Sequence, residues 1–180
     1  DTPPPIADMA AQLAEAVAKT CADEDTDVPV VSFEPGRAII GPAVFSLYTV
    51  GTVKGVETET GVRTYVSVDG GMSDNVRTAL YDADYSCTLA SRSSDGDPVV
   101  VRVVGSHCES GDILVRDEYL PADVRAGDLV AVPGTGAYCQ PLSSNYNLTP
   151  RPGVLAVSDG RADWIIRPET HDDLLGRDCG

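Results

Sequence analysis

Six residues, HCESGD (107–112), place an imidazole, a thiol and two carboxylates side by side in a chain with only two histidines and five cysteines. Three chemistries compete there with a plain structural loop. A Cys–His nucleophile needs the base to reach the sulfur in space, and neighbours in sequence seldom point the same way. A metal centre needs further ligands, and His171 is the only other histidine. In the third, Cys108 is a proton donor and Glu109 a cation binder, with Gly111 letting the loop bend.

Three further segments carry residues of similar promise. In EPGR (34–37) a glycine permits close backbone approach to a ligand, and Arg37 can grip a carboxylate or phosphate bidentately. A strand-ending turn with an exposed arginine accounts for it equally. In VDGGMSDNVRTALYDADY (68–85), Arg77 and Tyr81 stand four apart and share one face of a helical turn. They form either a carboxylate clamp or an ordinary helix packed by Leu80 and Tyr81. GTGAYCQPLSSNYN (134–147) offers glycine-rich turns with free N–H groups and the hydroxyl of Tyr138, which can bond a phosphate oxygen. Sequence does not place these segments in one pocket.

The elements that must position them follow from periodicity. Ile6, Met9, Leu13 and Val17 recur at three and four, predicting a helix over 5–22 with Cys21 continuing its apolar stripe. The acidic run 22–27 reads as a solvated turn before a short apolar strand, 28–33. Residues 44–56, 63–68, 85–90, 98–104, 128–132, 154–158 and 162–166 are rich in valine, isoleucine, threonine and tyrosine, with Gly, Pro and Asp between. They predict many short strands and a closed or nearly closed β-barrel. Asp159-Gly160 marks a hairpin, and residues 169–175 a last helix stopped by Gly176.

Composition narrows the function classes. A net charge of −15 repels nucleic acid and anionic membrane, excluding both as expected partners. No apolar run approaches the roughly 18 residues of a membrane helix. Cysteines 21, 87, 108, 139 and 179 are odd in number and widely spaced, without a C-x-x-C pair. That predicts no metal site and a reducing compartment with mostly inert thiols. The opening DTPPP carries no signal-peptide pattern and reads as cut from a longer chain.

Taken together, EPGR, VDGGMSDNVRTALY, HCESGD and GAYCQPLSSNYN resemble the diaminopimelate decarboxylases, pyridoxal-phosphate enzymes of lysine biosynthesis, in order and spacing from about residue 31 to 146. ESGD after the cysteine, with SSNYN downstream, favours them over the related ornithine and arginine decarboxylases. The resemblance implies a mainly β (α+β) chain. It would be the C-terminal β-barrel of a fold-type III pyridoxal-phosphate decarboxylase (41–180), preceded by the last helix–strand portion of a β/α (TIM-like) barrel (1–40). An N-terminal strand of the full protein would be missing from the β-barrel, so an unpaired edge and self-association are expected.

The same resemblance implies a cytoplasmic homodimer that converts meso-2,6-diaminopimelate to L-lysine and CO2. Glu34, Gly36, Arg37 and Tyr138 would belong to the cofactor pocket. Arg37, Arg77 and Tyr81 would hold the distal carboxylate of the substrate, Tyr138 would add a contact, and Glu109 would meet the distal ammonium. Cys108 would protonate the carbanion, with Cys108 and Glu109 reaching into the neighbouring subunit's site. The family attaches its cofactor to a lysine in the N-terminal part of its barrel. The only lysines here, Lys19 and Lys54, lack that context. The isolated polypeptide is therefore expected to be inactive and to bind pyridoxal phosphate weakly or not at all. A decarboxylase of another basic amino acid, ornithine or arginine type, and a non-catalytic β-barrel interaction module are the alternatives.

Overall fold

The computed structural model describes residues 4–59 and 61–180. They fall into two compact units, residues 1–35 and 36–180.

The first unit is built on helix α1 (Ile6–Asp23). Proline at the N-cap costs no hydrogen bond there, and Asp8 places negative charge in the first turn, where the helix dipole favours it. Cys21 is its buried residue, as the apolar stripe predicts, while Ile6, Met9 and Leu13 remain about half exposed. Lys19 faces outward. Residues 28–33 do not form the expected strand, and Val30 is 99% exposed. A strand is stabilised by a neighbour's ladder, and the described residues of this unit include no second strand to supply one.

The second unit opens with a short helix, α2 (Gly36–Ile40), and a 3-10 turn (Gly41–Ala43). Strand β1 (Phe45–Thr58) follows. Its first half pairs antiparallel with β6 (Leu129–Pro133) and its second half with β2 (Gly61–Val68). The register breaks between Val50 and Val53, where the backbone N–H of Thr52 donates to Ser67 Oγ at 2.9 Å. A bulge of this kind bends a strand, so one long strand can serve two directions of the sheet. Strand β4 (Pro98–Val104) pairs parallel to β2 and antiparallel to β5 (Ile113–Pro121), and the two-residue β3 (Thr88–Leu89) pairs with β6. The order is β3-β6-β1-β2-β4-β5. The sheet curls until β3 and β5 lie against each other, giving the nearly closed barrel. Because β3 has only two residues, β5 is hydrogen-bonded along one edge only.

Alternation fills the barrel. Val66 and Val68, Val101 and Val103, and Val130 and Val132 point inward two by two, each at most 3% exposed, and close around Leu114 and Leu120. Strand β5 was not among the expected strands. Its Arg-Asp-Glu centre hides the period, yet Leu114, Val115 and Leu120 are its most buried side chains. Conversely, the predicted strand at 85–90 is regular only over Thr88–Leu89.

Below the barrel's pairing scheme lies a charged clasp. Arg92 donates bidentately to Asp128 (Nε to Oδ1 and Nη2 to Oδ2, both 2.9 Å) and from Nη1 to Asp123 at 2.9 Å. It joins the segment after β3 to the turn before β6. The hydrogen bonds from Arg92 are the main cause that holds the Asp128 carboxyl down at about 2. A carboxyl depressed in the folded state stabilises the fold above its unfolded pKa, and that contribution is lost as pH falls through the folded value. The denaturation midpoint of the protein should therefore fall between pH ~4, the ordinary carboxylate value, and pH ~2. The Asp128→Asn variant, less stable at neutral pH, should show a shallower decline over the same window in denaturant titrations.

A second sheet is the hairpin β7 (Val154–Ser158) and β8 (Arg161–Ile166). Asp159 and Gly160 both adopt positive φ (51° and 74°), as the Asp-Gly signal predicts. Helix α4 (His171–Leu175) is capped by Thr170 and Asp173 in a reciprocal capping box. No helix among the described residues is long and apolar enough to cross a membrane.

Candidate functional site

Strand directions decide where the four segments meet. Strands β2 and β4 run parallel, and β1 and β5 run against them, so the exits of β2 and β4 and the entries of β1 and β5 share one end of the barrel. The exit of β6 joins them because β6 opposes the start of β1. The loops 69–76, 105–112 and 134–148 and the turn before β1 therefore crowd one rim.

Hydrogen bonds knit them together. Ser106 N–H donates to Gly70 O (2.9 Å), Met72 N–H to Asp112 Oδ1 (2.6 Å) and His107 N–H to Asp112 Oδ2 (2.8 Å). Ser144 N–H reaches Ser73 O at 2.8 Å, and Gly136 N–H reaches Gly41 O at 3.2 Å. Glycine is required at Gly136, because a Cβ there would overlap the carbonyl oxygen of Ile40. At Gly105 a Cβ would overlap the Asp112 carboxylate. The loop carrying Tyr138 is thus pressed onto the end of α2, and the loop carrying Cys108 is wound around Asp112.

Arg77 opens helix α3 (Arg77–Tyr81). Its Nη1 donates to Tyr85 Oη at 3.0 Å, and its guanidinium carbon sits 5.2 Å from the centre of the Tyr138 ring. Arg77 Nε is buried with no hydrogen-bond partner among the described residues. Tyr138 holds φ at 71°, a left-handed conformation that costs a non-glycine residue about 1–3 kcal/mol. Its ring spans the guanidinium and remains half exposed. Tyr85 Oη also lies 3.6 Å from Cys139 Sγ. Burial raises both of these groups, which keeps them neutral beside the arginine. Beneath them, Asp74 accepts from Gly71 N–H at 2.7 Å and from the Tyr48 hydroxyl, and burial pushes its carboxyl above the usual range.

Cys108 and Glu109 form the exposed tip of the β4–β5 loop. Glu109 Oε1 accepts from Gly111 N–H at 3.2 Å and Ser110 Oγ at 3.3 Å, so the carboxylate caps its own loop and still faces solvent. His107, directly before, turns inward at 9% exposure. The side chains of His107 and Cys108 diverge, which disposes of a local Cys–His dyad. Among the described residues no group of three or more His, Cys, Asp or Glu side chains is placed to hold a metal.

The rim unites the segments of Arg37, Arg77, Cys108, Glu109 and Tyr138. Tyr81 is exposed one helical turn from Arg77. Gly36 stands at the start of α2, where a Cβ would meet nothing within 4 Å, so no protein atom demands glycine there. Glu34 is exposed and belongs to the first unit. Sequence reasoning gave no role to Ser73, Asp74 or Asp112. The one signal for Asp112 was its place in HCESGD; the glycines that leave room for its carboxylate, Gly71 and Gly105, lie outside that segment.

Residues 19–136 match the pyridoxal-dependent decarboxylase C-terminal sheet domain. The chain belongs to this family. A relative from Mycobacterium tuberculosis (strain ATCC 25618 / H37Rv), named diaminopimelate decarboxylase, is 57% identical over 176 residues, 97% of this chain and 39% of its own length. One of the same name from Bacillus subtilis (strain 168) is 42% identical over 99% of this chain and 40% of its own. The crystal structure of diaminopimelate decarboxylase from M. jannaschi superposes with a TM-score of 0.83 at 29% identity, covering all of this chain and 39% of that one. The chain thus spans about two-fifths of the length of these relatives.

Proposed function

We propose that this chain is the C-terminal part of a pyridoxal-phosphate-dependent diaminopimelate decarboxylase. The full-length protein would convert meso-diaminopimelate to L-lysine and CO2. The observation that carries the reading is the 57% identity to proteins of that name along 97% of the chain. The domain assignment, 1–40 from a β/α-barrel and 41–180 as the β-barrel, and a cytoplasmic location go with it.

The rim fits part of a site for the cofactor and substrate. A half-buried guanidinium whose Nε has no partner among the described residues and a half-exposed phenol suit anionic oxygens. Bound pyridoxal phosphate supplies an electron sink for the charge left when CO2 departs. The residues of this chain do the rest. Arg77, with Arg37 and Tyr81, retains the distal carboxylate. Glu109 accepts the distal ammonium in exchange for its contacts to Gly111 and Ser110. Cys108 gives its proton to the carbon that loses CO2. Tyr138, with its ring over the Arg77 guanidinium, restrains that side chain and contacts cofactor and substrate. Gly36 and Glu34 line the cofactor side.

No lysine among the described residues of the second unit stands at the rim. Lys54 is exposed on β1 opposite Tyr65, beyond the bulge, and Lys19 is on α1 in the first unit. The isolated chain should accordingly show no stoichiometric borohydride-trapped label on either lysine after incubation with pyridoxal phosphate. The exposed tip at Cys108 points away from the barrel core, which suits a loop that completes the site of a second copy, so the working unit is a homodimer.

The test is a substrate panel on the full-length protein. Lysine should form from meso-diaminopimelate, with ornithine and arginine left unchanged, because neither carries a second carboxylate for the arginines. Glu109→Ala should raise KM for meso-diaminopimelate ~10–10²-fold, the worth of a charge-assisted hydrogen bond, with a smaller change in kcat. Equal turnover of ornithine or arginine would overturn the substrate assignment.

A further inference from the structure

The loop that carries Cys108 and Glu109 would be of little use if its tip wandered, and its own sequence does not make it rigid. Ser110 and Gly111 are flexible turn formers, and both functional side chains are exposed. What restrains the tip lies underneath it. Ser73 (4% exposed) and His107 (9% exposed) meet through Ser73 Oγ and His107 Nε2 at 2.8 Å. This bond crosses from the loop ahead of Arg77 to the loop of Cys108. Tyr146 covers the imidazole with its ring at 5.3 Å and a 53° tilt, and Ser144 N–H fixes the Ser73 carbonyl. Three loops therefore converge on one buried serine–histidine pair, one residue before the thiol.

We propose that Ser73 and His107 are positioning residues, which fix the Cys108–Glu109 tip on the rim that presents it. The proposal rests on the decarboxylase reading for its catalytic consequence and on the geometry alone for its structural one. With His107 anchored inward, the next side chain is delivered outward. Ser73 is four residues ahead of Arg77, so the same bond ties the loop that carries the proton donor to the loop that leads into α3. Neither Ser73 nor His107 touches solvent enough to meet substrate itself. Misplacing a reacting group by about 1 Å can cost ~10²-fold in rate. Losing the bond should therefore act on turnover through Cys108 and on binding through Glu109.

The experiment uses the full-length protein with Ser73→Ala, His107→Ala, the double variant and His107→Gln, whose amide nitrogen can replace Nε2 towards Ser73. Each alanine variant should lower kcat/KM ~10–10²-fold, and the double variant should be no worse than the poorer single. His107→Gln should recover most of the loss. Hydrogen exchange supplies a readout independent of activity: amides of residues 105–113 should exchange at least ~10-fold faster in the alanine variants, while those of β2 and β4 keep their protection. Multiplying losses in the double variant, no recovery with glutamine, or faster exchange spread evenly through β2 and β4 would each overturn the proposal. If the wild-type protein fails to decarboxylate diaminopimelate, the function fails, and the exchange result still decides whether the pair positions the loop.

Discussion

Replacing Cys108 with alanine in the full-length protein should lower kcat for lysine formation ~10²–10⁴-fold, the range associated with losing a positioned general acid. The thiol is the one ionisable group at the loop tip that can deliver a proton and then regain it from solvent, since it is exposed and unpaired with any disulfide. Its neighbour Glu109 is an acceptor when ionised and is occupied by Gly111 and Ser110 N–H and O–H donors until substrate arrives. KM should change far less than kcat, because the thiol makes no part of the carboxylate clamp. Folding should be untouched: surface substitutions shift stability by no more than about 0.5 kcal/mol, so the denaturation midpoint serves as the control. Cys108→Ser, with a far weaker acid of similar size, should stay close to alanine. Turnover of Cys108→Ala within a few-fold of wild type would remove the thiol from the chemistry and leave the loop a binding element only.

The largest stability effect should come from Asp112. Its carboxylate is 3% exposed and accepts two backbone N–H groups from different loops, Met72 at 2.6 Å and His107 at 2.8 Å. Hydrogen bonds to a charged group are each worth about 1.5–3 kcal/mol, and a buried donor left unpaired adds its own desolvation penalty. Asp112→Ala should therefore cost about 3–5 kcal/mol in denaturant unfolding of the 180-residue chain. Asp112→Asn keeps one acceptor but turns a donor pair towards an N–H, so it should recover only part of that. Gly105, whose space is filled by this carboxylate, supplies a second check: Gly105→Ala should destabilise in the wild type and much less in the Asp112→Ala background. A loss below about 1 kcal/mol for Asp112→Ala would mean that the two loops hold together through other contacts.

The elements with a strong local signal were legible before any coordinates. Helix α1 follows from Ile6, Met9, Leu13 and Val17, strands β2 and β4 from alternating valines, the hairpin β7–β8 from Asp159-Gly160, and the turn at Arg77 from its four-residue spacing to Tyr81. Each depends on interactions within a few residues, which composition and period encode directly. Strand β5 was hidden because its charged centre, Arg116 to Glu118, is tolerated on an edge strand whose inward residues alone are apolar. The strand expected at 28–33 failed for the opposite reason: its residues favour β-structure, but a ladder needs a neighbour that local sequence does not encode.

The candidate site divides in the same way. Residue type marked Arg37, Arg77, Cys108, Glu109 and Tyr138 as candidates beside plain structural readings, and the family resemblance of their four segments supplied the expected roles. Their meeting at one rim was decided by the parallel pairing of β2 with β4 and the bend in β1, which no window of sequence contains. Only the fold separated the inward His107 from the outward Cys108, paired Ser73 with the imidazole 34 positions away, and gave Asp112 two loops to hold. Chemical identity is a property of single residues. Register, burial and hydrogen-bond partnership arise from the curling of the sheet, and the nearly closed barrel is what makes these scattered side chains neighbours.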